Sequence, residues 1–433
     1  SGIFINYNFF IFISVLSVLI FLLYKSAKPL IYFEIFLCFI GSFSGFLSTN
    51  FKPDNIRYEI TGVVDKRISD DYSYIKNIRI YENEKWKDFN GKIFLSSRNS
   101  NLDKCDKIWS VGYLKKTNRY PFYSFDSIIA GKVPTDNFFI KLGVTIKESI
   151  LSRIDRFGVN SKYISSIIFG DKEKLAKNEK SEIFKSGIGH LFAVSGFHIG
   201  LFYLLIVTMT SLFLLPYKFK LGFSLSMTFL YWLTTGPSIS ASRAFLMLLI
   251  YTIFKFIDYP QSSINIIGLC GIIFLILSPI IIADISFQLS FVATSALLIF
   301  SERINESKIK MPFKVILIGC IPQLALLPLQ IVTFNSVSLL SVPLTILFVP
   351  LFLYPIYINV MFILLFSFIK LDSVSLLIGT FTNYLISFFD FLIKKAADLN
   401  LVINISKNLS YICALLVAFL ILSSLSWHSG HKP

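Results

Sequence analysis

The chain has 433 residues, 54% hydrophobic and only 15% charged, with a mean hydropathy of +0.68. A soluble globular domain carries roughly 25% charged residues, so this composition excludes one and points to repeated membrane spans. The 41 Lys and Arg against 26 Asp and Glu leave a net charge of +15, which argues against a cationic substrate and favours an anionic partner or an anionic lipid surface.

Residues 3–24 carry no charge and are long enough to cross about 30 Å of hydrocarbon. A second apolar run follows at 30–48 and no basic stretch precedes the first, which disfavours a cleaved signal peptide. Lys25 and Lys28 lie in the turn between the runs, so the positive-inside rule puts that turn in the cytoplasm and residues 51–140 outside. Those residues hold 16 Lys and Arg against 12 Asp and Glu. Ile56, Tyr58 and Ile60 alternate with Arg57 and Glu59, and Ile78 and Ile80 with Asn77 and Arg79; 92–95 and 107–114 read as two further strands. A small β-barrel or sandwich is expected, with an OB-type barrel as the specific expectation.

Across 141–187, Leu142, Ile146, Ile150 and Ile154 recur every four residues among basic and acidic neighbours. This predicts an amphipathic helical segment, too polar to span, lying on the membrane surface or packed on the β domain. From 188 to 433 the chain is membrane again, with spans expected near 189–215, 221–236, 240–257, 263–278, 285–300, 314–333, 338–369, 373–393 and 408–427. The fold class is therefore a polytopic α-helical membrane protein of about eleven spans with an extracytoplasmic β insert. Lys218, Lys220, Lys255 and Lys370 obey the positive-inside alternation, whereas Lys394 and Lys395 break it. The 338–369 segment holds Pro343, Pro350 and Pro355, which predicts a kink or a re-entrant hairpin.

Polar residues in such a bundle are informative, because each is costly in hydrocarbon without a partner or a cavity. Three clusters stand out. The first runs from Gly187 to Gly200 and contains His190, Ser195 and His198, the last two sharing a face if helical. It reads either as a polar lining for a passing ligand or as interhelical hydrogen bonding. The second runs from Gly236 to Ala244, where Gly-Pro and the serines, Ser240 among them, precede Arg243. A buried guanidinium with five donors suits phosphate, an interrupted helix offers free N–H groups to an anion, and snorkelling to the interface is the alternative. The third is Asp284 to Phe291, in which Asp284 and Gln288 share a face and Asp284 is a candidate partner for Arg243.

Together these clusters resemble the ComEC competence family, an inner-membrane channel for single-stranded DNA in natural transformation. The resemblance is carried by Gly170-Asp171, Phe184 and Gly187 through His198, by Ser240-Ala241-Ser242-Arg243-Ala244, and by Asp284 through Phe291. Phe334-Asn335, Ser338-Leu339-Leu340 and Val349-Pro350 continue it, with Thr345 where the family carries Asn. In the insert, Asp106-Lys107, Gly112-Tyr113-Leu114 and Phe125-Asp126 look like the family's extracytoplasmic OB-type domain. No HxHxDH zinc-nuclease cluster is present, so the chain looks like a short member without the metallo-β-lactamase-like domain, and it is not expected to be an enzyme.

The resemblance implies a path in which His190, Ser195, His198, Ser240, Arg243, Asp284 and Gln288 contact passing nucleotides. The basic insert would receive incoming strand, with Trp86, Trp109 and Tyr113 as stacking or packing aromatics. Expected partners are single-stranded DNA, membrane lipid, a periplasmic or surface DNA receptor, a separate nuclease and a cytoplasmic motor or strand-binding protein; a homo-oligomer is compatible with this. No GxxxxGK[ST] loop occurs, so no ATP-driven motor is expected in the chain. No cofactor or metal is expected either: Cys38, Cys270, Cys320 and Cys413 sit in apolar runs, Cys105 stands alone in the polar insert, and His428 and His431 are too few ligands. Two rival classes are a transporter of another anion, such as a lipid phosphate or nucleotide, and an intramembrane serine hydrolase using Ser195 with His198 or His190.

Overall fold

The computed structural model describes residues 57–405 apart from 69–70, 83–84, 90, 98–101, 103–104, 118–122, 134–136, 173, 261, 279–280, 283 and 308. The spans expected at 3–24, 30–48 and 408–427 lie outside the described residues. The rest falls into two compact units, one formed by residues up to Ile140 with Ser262–Gln288, the other by Lys141–Gln261 with Leu289 onward.

Among its described residues the first unit has six strands: β1 (Arg57–Arg67), β2 (Tyr72–Glu82), β3 (Lys85–Phe89), β4 (Ile93–Ser96), β5 (Lys107–Lys116) and β6 (Tyr123–Val133). Five of them close on themselves in the order β1-β2-β4-β6-β5, because β1 pairs with both β2 and β5; β3 is added on the edge of β2. All pairings are antiparallel except β4 with β6. The alternation seen at Tyr58/Ile60 and Ile78/Ile80 is the inward face, and it meets Ile93, Leu95, Ile108, Leu114 and Phe125 in one apolar core. Burying each such side chain is worth about 1.5–3 kcal/mol. Ile75 and Ile78 both reach this core although they are three apart, because Asn77 takes φ 51° at a register shift between β1 and β2. Gly112 has no room for a side chain: a Cβ there would lie 2.1 Å from the Asp126 carbonyl oxygen. Strands β3 and β6 lack clean alternation, since β3 is an edge strand and the second half of β6 exposes Ile128 and Ile129. The same unit includes the apolar helix that runs Ser263–Leu277.

In the second unit, the amphipathic pattern of 141–187 becomes three helices: α1 (Phe138–Arg156), α2 (Ser161–Ile168) and α3 (Lys177–Lys185). Then come α4 (Gly196–Ser211), α5 (Tyr217–Thr234), α6 (Ile239–Phe256), α7 (Ser263–Leu277, of the first unit), α8 (Ile285–Glu306, its first turn in the first unit), α9 (Met311–Phe334), α10 (Ser341–Phe348), α11 (Tyr354–Phe368) and α12 (Asp372–Leu399). Among the described residues, five helical runs are long and apolar enough to cross a bilayer: α6, α8, Ile316–Phe334 of α9, Ser341–Phe368, and α12. The helices α4 and α7 are apolar but shorter. Ser341–Phe368 is one helical run rather than a hairpin, with a π turn at Val349–Leu353 where Pro350 supplies no backbone donor.

Helices α1 to α3 dock along α12. A Cβ on Gly379 would lie 2.6 Å from the Phe157 carbonyl oxygen, and the Asn383 side chain accepts from Asn160 N–H at 2.9 Å and donates to the Gly158 carbonyl. Tyr163 donates to Asp390, whose carboxylate also holds Lys394 at 2.7 Å. Lys394, which breaks the charge rule, is thus paired one turn along its own helix. Phe192, Phe348, Phe352 and Phe389 form the aromatic centre of this packing.

Candidate functional site

Between α2 and α4 the chain turns repeatedly. Gly170 and Gly187 take φ of 70° and 82°, and both are crowded: a Cβ would lie 2.9 Å from Val194 at Gly170 and 2.3 Å from Ser338 Oγ at Gly187. Only glycine meets both demands. Asp171 accepts Lys147 at 2.5 Å, and Lys172 donates to the Gly189 carbonyl at 2.9 Å. These ties hold residues 187–195 in turns, so the span predicted from residue 189 becomes helical only at Gly196.

Ser195 occupies the position before α4 in an extended conformation (φ −111°, ψ 173°). Fully buried His198 accepts the Ser195 N–H through Nδ1 at 3.2 Å, lies 2.9 Å from Ser195 Oγ, and donates from Nε2 to the Leu191 carbonyl at 3.2 Å. An accepting Nδ1 and a donating Nε2 define one neutral tautomer. His198 thereby does what Glu or Gln does in a capping box. The two side chains meet head-on because Ser195 precedes the helix, not because they share one of its faces. The Nδ1 lone pair is shared with a backbone N–H, which weakens the hydrolase alternative. His190 is exposed on the turn and shares a 3.1 Å hydrogen bond with Thr345 Oγ1, which itself donates to the Ser341 carbonyl at 2.5 Å. Thr345 is therefore the partner of His190.

Helices α5 and α6 are separated by Gly236 at φ 62° and by Ser238, whose hydroxyl accepts the Ala241 N–H. A Cβ on Gly196 would lie 3.3 Å from that of Ala244, so the starts of α4 and α6 touch, with half-buried Ser240 beside them. Arg243 has no exposed surface. Its Nε donates to the Ile239 carbonyl at 3.3 Å, and the guanidinium stands 5.0 Å from the Phe291 ring centre. It does not snorkel to water.

Asp284, in the first unit, is 4% exposed. Its Oδ1 accepts the Ser286 N–H at 2.8 Å and caps α8, while Oδ2 lies 3.0 Å from Lys92 Nζ. Gln288 donates to the Ile282 carbonyl at 2.9 Å. Lys92 also pairs with Asp65 at 2.8 Å, and Asp65 with Lys76 at 2.9 Å. Burial by itself would push the Asp65 carboxyl up, but the two lysines outweigh it and hold it below its ordinary 3.8. Burial opposes the Lys92 charge, but Asp65 and Asp284 raise it above its ordinary 10.5. The Asp65 contribution is whole above 3.8 and lost as pH falls; the Lys92 contribution is whole below 10.5 and lost as pH rises. Protease protection of the barrel is thus expected to be level between those values and to decline once pH drops below 3.8. Asp65→Asn should lower it by about 3 kcal/mol at neutral pH and flatten the acid limb. An acid limb identical to wild type would contradict this.

The barrel's outer face carries a groove of about 530 Å³ lined by Asn77, Arg79, Trp86, Lys107 and Trp109 among others. Thr61 pairs in register with Arg79 on one side and Trp109 on the other. The Trp109 indole is fixed by Glu59, whereas Trp86 is 43% exposed against Tyr81. Two residues of the bundle escaped sequence reasoning: the hydroxyls of Tyr231 and Tyr357 are 2.7 Å apart, Tyr231 donates to the Ile168 carbonyl at 2.7 Å, and the Tyr357 ring neighbours His198. Hydroxyls inside apolar spans were the available signal. Lys92 had none, because nothing distinguishes it locally from other barrel lysines.

Residues 167–430 match the family model described as competence protein. The chain belongs to the competence protein family. In this competence protein the matched region takes in every polar cluster described for the bundle, from Gly170 to Thr345, and leaves β1–β6 outside. The chain is also 27% identical over 253 residues to ComE operon protein 3 of Bacillus subtilis (strain 168), covering 55% of this chain and 30% of that protein. The competence protein thus aligns with less than a third of that relative's length. No solved structure matches it.

Proposed function

We propose that this competence protein conducts single-stranded DNA across the inner membrane during natural transformation, as a transporter rather than an enzyme. The observation that carries the reading is Arg243, a guanidinium buried in an apolar helix within the family-matched region. A guanidinium held out of water one turn into an apolar helix is costly, and its planar fork of five donors matches a phosphate, which favours an anion to be guided. Phosphodiesters supply that anion, one charge per nucleotide, and Ser195, His198, Ser240, Asp284 and Gln288 would line the same route with His190 near its mouth.

The barrel is read as an OB type, supported by its closed strand order and its single parallel pair. Its groove pairs Arg79 and Lys107 with Trp86 and Trp109, the combination that binds single strands without reading sequence. About eleven spans, residues 51–140 outside the cytoplasm, and a receptor, nuclease and motor as separate partners complete the proposal. Deleting the gene and following labelled double-stranded DNA tests it: DNA held outside but not internalised supports conduction, and normal internalisation rejects it. Trp86→Ala is expected to weaken single-strand binding by about 1–3 kcal/mol, roughly one stacked base, measured by fluorescence anisotropy on the full chain. Unchanged binding would remove the groove from the route.

A further inference from the structure

Among the described residues, one charged network ties the β-barrel to a helix. Lys92, immediately before β4, bridges Asp65 of β1 at 2.8 Å and Asp284 at 3.0 Å, and Lys76 of β2 completes it at 2.9 Å. Two lysines meet two aspartates, so the network is neutral. The side chains of Asp65, Lys92 and Asp284 keep 9%, 16% and 5% of their exposure. Asp284 spends one carboxylate oxygen on Lys92 and the other on the first N–H groups of α8. Any shift of Lys92 therefore acts on the helix cap itself. Seven residues further along the same helix stands Phe291, whose ring lies under the Arg243 guanidinium. Two turns of α-helix bring residues i and i+7 onto nearly the same face, about 10 Å apart along the axis.

From this juxtaposition we propose that Lys92 is a positioning residue for DNA conduction: through Asp284 it sets the start of α8, and through α8 it sets the ring that orients Arg243. The inference rests on the proposed conduction of DNA. A barrel that only captured strand would have no need of a buried ammonium on the cap of a membrane helix. A lysine serving the DNA itself would not have its charge consumed by two aspartates.

The test uses the full chain in a transformable host, recording bound and internalised DNA against DNA concentration, with protein amount in the membrane as control. Lys92→Met is expected to lower maximal internalisation at least tenfold while half-saturation stays within twofold. Lys92→Arg should restore it to within about threefold. Asp284→Asn should likewise lower the maximum, and combining it with Lys92→Met should lower that maximum no further. Lys92→Cys gives an independent arm on protein already folded. Aminoethyl methanethiosulfonate, which adds an ammonium, should recover uptake, whereas the neutral methyl reagent should not, with treated wild type as control. Wild-type internalisation by Lys92→Met overturns the proposal. So does a raised half-saturation with an unchanged maximum, which would assign Lys92 to DNA contact. Loss of every variant from the membrane, Lys92→Arg included, overturns it in favour of a tie that only supports the fold. If the intact chain itself internalises no DNA, the conduction reading fails instead, so the two failures are distinguishable.

Discussion

Replacing Arg243 by Ala is expected to reduce DNA internalisation by at least about a hundredfold while the protein stays in the membrane at wild-type amount. The size follows from the contacts at stake: a hydrogen bond to a charged partner is worth about 1.5–3 kcal/mol, and two lost from a bidentate phosphate contact amount to roughly a hundredfold or more. The retention of protein follows from the opposite term. Arg243 is wholly buried on an apolar helix, where a charged side chain is costly to insert, so the neutral residue is expected to leave insertion intact. Lys in its place keeps the charge but loses the planar fork and its stacking on the ring, and should recover uptake only in part. Uptake at wild-type rate with wild-type protein amount would dismiss Arg243 from the route. Loss of the protein from the membrane would make it a scaffold residue.

The second large effect is expected at His198, and it is one of stability. His198→Leu leaves the Ser195 N–H and the Leu191 carbonyl without their ring partner in an apolar surrounding. Each orphaned group costs about 1–3 kcal/mol, so about 2–6 kcal/mol is lost from a fold whose whole margin is of order 5–15 kcal/mol. The turns from Gly187 to Ser195 should open first, detected as new protease cleavage there and a lower detergent unfolding midpoint. His198→Gln can still accept the Ser195 N–H, as Gln does in a capping box, and should retain about half of the loss. Equal behaviour of the Leu and Gln variants would show that the ring's volume, not its hydrogen bonds, matters.

The reading of the polar clusters shows where sequence reasoning reaches its limit. Arg243, Asp284 and His198 were conspicuous because a polar atom in an apolar run is costly, and that cost is local. What each of them touches was not local. Opposite charge alone makes Asp284 a candidate partner for Arg243. The carboxylate holds Lys92, nearly two hundred residues earlier in the chain. Nothing local to Thr345 names its partner, and folding sets its hydroxyl against His190.

Local periodicity and the uncompensated cost of polar groups in hydrocarbon thus determined the apolar helices, the polar insert with its alternating strands, and the residues worth suspecting. Closure of β1 onto both β2 and β5, the division of 141–187 into three helices docked on α12, and the conversion of Ser195 and His198 into a cap were decided only in three dimensions. The reason is one of range. A repeat of 2 or 3.6 residues is written in neighbours along the chain, whereas the partner of a buried charge or an orphan N–H is chosen among groups far apart in sequence, by whichever packing leaves fewest of them unpaired.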